Sequence, residues 1–211
     1  MQTARIAAVG SALAVVVGVA VCGCANQHTA PATSPSSTTT SSAALTSSVP
    51  PGMVTGPPPG QQTDFSVLLV NPADIGSDFT APQPPVLNPD NGLGVAQLFV
   101  STDSSRRVGD IILILADPAA AETGADSIKK NYVGKVSGTW QPVDVGPGGA
   151  ILSGISGTAD NAKAVTVLVF TEGRALVNME FDSPPNAPMG PDAVVEVGRK
   201  QDSAIKNALP R

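Results

Sequence analysis

The chain has 211 residues, a formal net charge of −5, 42% hydrophobic and 14% charged residues, two cysteines and one histidine. The shortage of Lys and Arg argues against nucleic acid as a partner, because a phosphate backbone demands clustered cations. Two cysteines and one histidine also leave too few ligands for a structural zinc site.

In chain order, the first feature is Ile6 to Val21, apolar or small almost throughout, preceded by Arg5 and followed by Cys22-Gly23-Cys24. A basic start, an apolar run and a small residue at the cut describe a secretory signal peptide. The run is shorter than the roughly 20 apolar residues that span a membrane as a helix, so cleavage after Gly23 is expected. Gly23-Cys24 resembles the lipobox of bacterial lipoproteins, whose cysteine receives a diacylglycerol and becomes the mature N-terminus. The resemblance implies lipidation at Cys24, with palmitate-type chains, and a place on the outer side of the cell membrane. Each buried methylene adds about 0.8 kcal/mol to membrane binding, so two or three chains hold firmly.

Residues 24–62 are dominated by Ser, Thr, Pro and Gly, with no apolar periodicity, and include His28. Such a segment cannot bury enough surface to offset its ordering entropy, and it reads as a disordered tether that lifts the rest of the chain away from the membrane. The remaining span, 63–211, has the size of a common single domain. Cys24 is the sole cysteine of the mature chain, so this domain holds no disulfide.

Within the domain, Leu68 to Val70 suggest the start of a strand stopped by Asn71-Pro72. A short helix is expected from Pro72 to Gly76 with Asn71 as its cap. Residues 81–94, with four prolines and two glycines, are barred from a central strand and form the first candidate for a binding lip. Val95 to Val100 and Val108 to Leu115 read as strands, the second apolar on both sides as if covered on both faces. Asp117-Pro118 opens a helix towards Tyr132 with Gly124 as a weak point. Val143 to Val145 suggest an edge strand.

Three apolar runs between Ala150 and Asp182 read as an antiparallel meander. A hairpin loop at Glu172-Gly173 pairs Phe170 with Ala175, Leu168 with Val177 and Thr166 with Met179. The opposite face, with Val165, Val167 and Val169 against Leu176, Asn178 and Glu180, is expected to be partly solvated. Val194, Val197, Ala204, Ile205, Ala208 and Leu209 lie at helical spacing in a last helix closed by Pro210. The fold class is α+β, an antiparallel sheet with helices packed mainly on one face.

NPADIG, VGDIILIL, VTVLVFTEGRALVNMEFD and VGRKQDSAIKNALP, within residues 64–210, resemble actinobacterial, chiefly mycobacterial, envelope lipoproteins of largely unassigned function. The likeness extends more distantly to PsbP-like lipoproteins and to the extracytoplasmic sensor domains of mycobacterial receptor kinases. These are packing and turn motifs, and they carry no catalytic, cofactor or metal residue.

A domain without His or Cys assembles no Ser-His-Asp or Cys-His site. Carboxylates remain: Asp74, Asp78, Asp90, Asp103, Asp110, Asp117 and Glu180 would have to pair across a cleft for glycan hydrolysis. Most read as caps, turns or surface charge. Asp110 interrupts an apolar strand and is expected to be a satisfied polar group, paired with Arg106, Arg107 or Arg174. The expectation is a non-enzymatic binding module that takes an envelope protein or lipid through the proline-rich lip and one sheet face. The first alternative is a lipid or glycolipid carrier with an apolar cavity between sheet and helix; a carboxylate-dependent hydrolase ranks last.

Overall fold

The computed structural model describes residues 63–209; the signal segment, Cys24, the tether with His28, and residues 210–211 lie outside them. The described chain begins with a 3-10 turn, Ser66–Leu68, where the sequence suggested a strand. The polar groups that a neighbouring strand would have used go to Gln201 instead. Its Oε1 accepts from the Val70 amide at 3.1 Å and its Nε2 donates to the Leu68 carbonyl. Helix α1, Pro72–Ile75, forms as expected, with Asn71 as cap, Pro72 in the first position and the Asp74 carboxylate returning to the Asn71 amide at 3.1 Å.

The proline-rich stretch supplies edges only. Strands β1 (Phe79–Thr80) and β2 (Val86–Leu87) both pair antiparallel with β3 (Gly94–Ser101). Between β2 and β3, Asn88, Asp90 and Asn91 take φ of 52°, 52° and 61°, a left-handed region that Asn and Asp tolerate better than other residues with a Cβ. A polar turn then leads into β4 (Arg107–Ile114), and Asp117 caps α2 (Pro118–Asn131) by accepting from the Ala120 amide at 2.8 Å. The edge strand β5 is Gln141–Pro142, two residues before the expected Val143 to Val145. Val145 is drawn into the core instead, and Val143 closes a compact turn by bonding to the Gly149 carbonyl at 3.0 Å. The meander β6 (Ala150–Ser156), β7 (Lys163–Glu172) and β8 (Ala175–Ser183) follows, and α3 (Pro191–Ala208) ends the described chain.

The strands form one antiparallel sheet in the order β1-β3-β4-β8-β7-β6-β5, with β2 beside β1 on the same edge of β3. The fold is therefore α+β, with α1 and α3 on one face and α2 on the other. On the inner face Val108, Ile112, Leu168, Phe170, Met179 and Phe181 pack with Val194, Val197 and Ile205 of α3. On the outer face Ala121 and Ala125 of α2 cover Val165, Val167, Val169 and Leu176.

Two expectations about burial change places. The outer face of β7 and β8, expected to be partly solvated, is sealed by α2 along β7 and at Leu176, while Asn178, Glu180 and Asp182 of β8 stay partly open. Strand β4, expected to be covered on both faces, keeps Ile111 36% exposed on its outer side, where α2 does not reach.

The hairpin register also differs from the expected one. Phe170 pairs with Val177, Leu168 with Met179 and Thr166 with Phe181, because the two-residue loop is Gly173-Arg174. Gly173 carries a φ of 54°, and a type II′ hairpin requires glycine at the first loop position, not the second. The shift is two residues, an even number, so every side chain keeps its expected face.

Candidate functional site

The carboxylates Asp74, Asp78, Asp90, Asp103, Asp110, Asp117 and Glu180 take separate places in the fold. Asp74 caps α1 and lies 3.6 Å from Lys200, while Asp78 pairs with Arg106. Asp117 is a helix cap and Asp90 is exposed in a turn. Asp103 accepts from the Ser101 hydroxyl at 2.6 Å and from the Ser105 amide at 3.0 Å, and these bonds hold its pKa down to about 2. Glu180 accepts from the Tyr132 hydroxyl at 2.6 Å. No two of these seven acids line the same one of the hollows described below. Among the described residues there is no group of three or more His, Cys, Asp or Glu placed to hold a metal ion.

Asp110 departs from expectation. It is an inward-facing residue of β4 with no exposure, and neither carboxylate oxygen has a hydrogen-bond partner. Arg106 is engaged with Asp78, Arg107 projects from the opposite face, and Arg174 lies in the β7–β8 loop. Burial alone pushes the Asp110 pKa up to about 7, as expected when a charged form loses its water without gaining a partner.

The outer face of the sheet carries the most organised concavity. Because α2 covers only the β6–β7–β8 side, the outward side chains of β3, β4 and β8 stand open in cross-strand rows. Ala96, Ile111 and Asn178 form one row, Leu98, Gly109 and Glu180 the next, and Val100, Arg107 and Asp182 the third. Three adjoining hollows run across these rows. The first, of about 220 Å³, lies between Pro84 and Val86 of the proline-rich lip and the Leu98–Ile111 surface. The second, of about 330 Å³, shares Leu98, Gly109 and Ile111 with it and reaches Tyr132 and Glu180. The third, of about 320 Å³, shares Tyr132, Glu180 and Asp182 and ends at Lys135 and Lys163.

The groove is apolar at one end and polar at the other. Val86, Leu98 and Ile111 are 59%, 43% and 36% exposed, and together they make a contiguous patch of the kind that usually marks an interaction surface. At the polar end Lys163 holds Asp182 at 2.7 Å, and Tyr132 bonds Glu180 while accepting from Asn178 Nδ2 at 3.4 Å. Burial first, and then the Glu180 bond, raise the pKa of the Tyr132 phenol, so it remains a neutral donor. Trp140 steadies the Tyr132 ring edge-on at 6.2 Å, and its indole donates to the Lys129 carbonyl at 3.2 Å. Gly109 forms the floor between the two ends; no atom lies within 4 Å of where its Cβ would stand. A glycine inside a strand often marks such an open approach.

Sequence reading found the lip and one open sheet face with Asn178 and Glu180 on it, but missed Gly109, Asp182 and Lys163. The signal available for Gly109 was its interruption of an otherwise apolar strand. A second concavity, of about 640 Å³, lies at the end of the sheet between the start of α2, the β7–β8 loop and the end of α3, with Ala116, Pro118, Ile205 and Leu209 in its lining.

The extracellular domain of PknH from Mycobacterium tuberculosis is similar to this chain at 10% sequence identity and a TM-score of 0.48, over 69% of this chain and 98% of that one. No protein-family model and no curated protein matches the sequence.

Proposed function

We propose that this protein is a lipid-anchored, extracytoplasmic binding module of the cell envelope, without enzymatic activity, whose binding surface is the groove on the outer sheet face. The observation that carries the reading is the groove's construction: an apolar patch at Val86, Leu98 and Ile111 joined across a bare glycine floor to hydrogen-bonding groups on β8. Ligand sites are concave, largely apolar and marked by a few convergent polar groups, and an amphiphilic ligand or an apolar segment of an envelope protein meets that description. Lipid on Cys24 would supply the place, and residues 24–62 the reach. Among the described residues no helix is long and apolar enough to cross a membrane.

The first test compares wild type with Gly109→Val, both purified from the native envelope. The substitution fills the floor and suits a strand. Mass spectrometry under native conditions is expected to find a bound species on the wild type that Gly109→Val loses. Equal occupancy of both proteins would remove the groove from the account. The second reading, a lipid or glycolipid carrier, is favoured by the 640 Å³ cleft with its apolar lining at Ile205 and Leu209. Its mark would be a bound lipid retained by Gly109→Val and lost on Leu209→Asp.

A further inference from the structure

We infer that Asp110 and Gln97 form a proton-operated latch for residues 81–85, the strap that overhangs the apolar end of the groove. With the Asp110 carboxyl neutral, the Gln97 amide holds the strap; with it ionised, the amide turns to the carboxylate and the strap is released. The inference rests on the groove reading for its consequence, namely access to the Val86–Leu98 hollow.

The geometry supplies both halves of the exchange. Strands β1 and β2 pair with one edge of β3 at Ser101 and Val100, and at Ala96 and Val95, which leaves 81–85 bridging the gap between them. Three of those five residues are prolines and lack an N–H, so the strap has few groups with which to tie itself down. Across the gap Gln97 Nε2 donates to the Gln83 carbonyl at 3.0 Å and to the Leu98 carbonyl at 2.9 Å. Gln97 and Asp110 are directly opposed in the β3–β4 register on the buried face, where Gln97 is 7% exposed and Asp110 not at all.

A buried carboxylate must find a donor or remain neutral. Its other strand neighbours offer none: Met179 opposes it from β8, and Val108 and Ile112 flank it on β4. The charged groups on the elements of this face are engaged elsewhere or exposed: Asp78 pairs with Arg106, Asp74 with Lys200, Arg199 with Asp144 and Glu196, and Lys206 with Asp202 and Glu172, while Asp192 is exposed at the start of α3. None of them acts on Asp110, whose pKa is displaced by burial alone. The amide opposite is therefore the donor within the strand register, and it is the group that secures the strap.

Amide hydrogen exchange on the full chain tests the latch. The protons to follow are those of Val86 and Asn88, which point to β3 in the antiparallel ladder, with Val167 and Val177 in the sheet centre as references. Opening of the strap is expected to rise about tenfold per pH unit from about pH 5 to about 7 and then to level off, once intrinsic exchange is corrected for. The references should keep their protection. Asp110→Asn should abolish the pH dependence, and Gln97→Met should loosen the strap at every pH. Parallel loss of protection at the reference amides, or a strap indifferent to Gln97→Met, would overturn the latch. Either result leaves the groove reading standing, because that reading fails only through the ligand comparison with Gly109→Val.

Discussion

At the scale of single residues, two buried polar side chains do opposite things. Gln201 on α3 satisfies the Val70 amide and the Leu68 carbonyl, and so fastens the segment before α1 to the last helix. Gln201→Leu would orphan both groups and is expected to cost about 1–3 kcal/mol per unsatisfied group, measurable by denaturant unfolding. Asp110 is buried without compensation. Its folded pKa of about 7 lies above the ordinary carboxylate value of 3.8, so the folded state binds the extra proton. The stability attached to that proton is fully present below about pH 3.8 and is lost as pH rises through about 7, on the order of 4 kcal/mol in all. Asp110→Asn should flatten that contribution, and unfolding measured between about pH 5 and 8 should show the slope in wild type alone. Neither role was legible in the sequence. Gln201 stands in a polar stretch, GRKQDS, and the bonds it makes are to residues 131 and 133 positions away.

At the scale of elements, periodicity and turn chemistry carried the reading further. Asn71-Pro72 and Asp117-Pro118 announce helix starts because capping is local, and the antiparallel meander is announced by apolar runs between turn residues. What failed was any feature decided by packing at a distance. Gly124 reads as a weak point in α2, yet it and Gly198 of α3 are both contact points. A Cβ on Gly124 would stand 2.7 Å from Leu176 Cδ2, and one on Gly198 would stand 2.3 Å from Leu168 Cδ2. Gly198→Ala is therefore expected to destabilise by about 1–3 kcal/mol through overpacking, despite the better helix propensity of alanine. Gly173 makes the contrasting case, since it meets no atom within 4 Å but has a φ of 54°. Gly173→Ala should cost about 1–2 kcal/mol from backbone strain alone, and Gly173→Asn less. Chemical denaturation of the three variants separates crowding from strain.

At the scale of the whole molecule, burial is asymmetric: the inner sheet face is packed by α1 and α3, while the outer face is half covered by α2 and half open. A sequence cannot show how far a crossing helix extends over a sheet, which is why β4 read as doubly covered and β7 as half exposed. The open half is where the proline-rich lip, the bare Gly109 floor and the Tyr132–Glu180 pair converge. The lip itself was legible, because prolines exclude a segment from the sheet interior. On the proposed reading, addressing and recognition fall to separate parts of the chain. Acylation of Cys24 is expected to appear as a lipid-modified N-terminal peptide in mass spectrometry of the mature protein, and to be absent from Cys24→Ser. The claim that recognition takes place in the groove is tested most directly by site-specific photo-crosslinking in the intact envelope. A photoreactive residue at Leu98 inside the groove is compared with one at Val67, which is 70% exposed and lies outside it. The account predicts one discrete crosslinked species from Leu98, none from Val67, and loss of the Leu98 product when Gly109→Val is added. Equal crosslinking from both positions, or a Leu98 product indifferent to Gly109→Val, would contradict it.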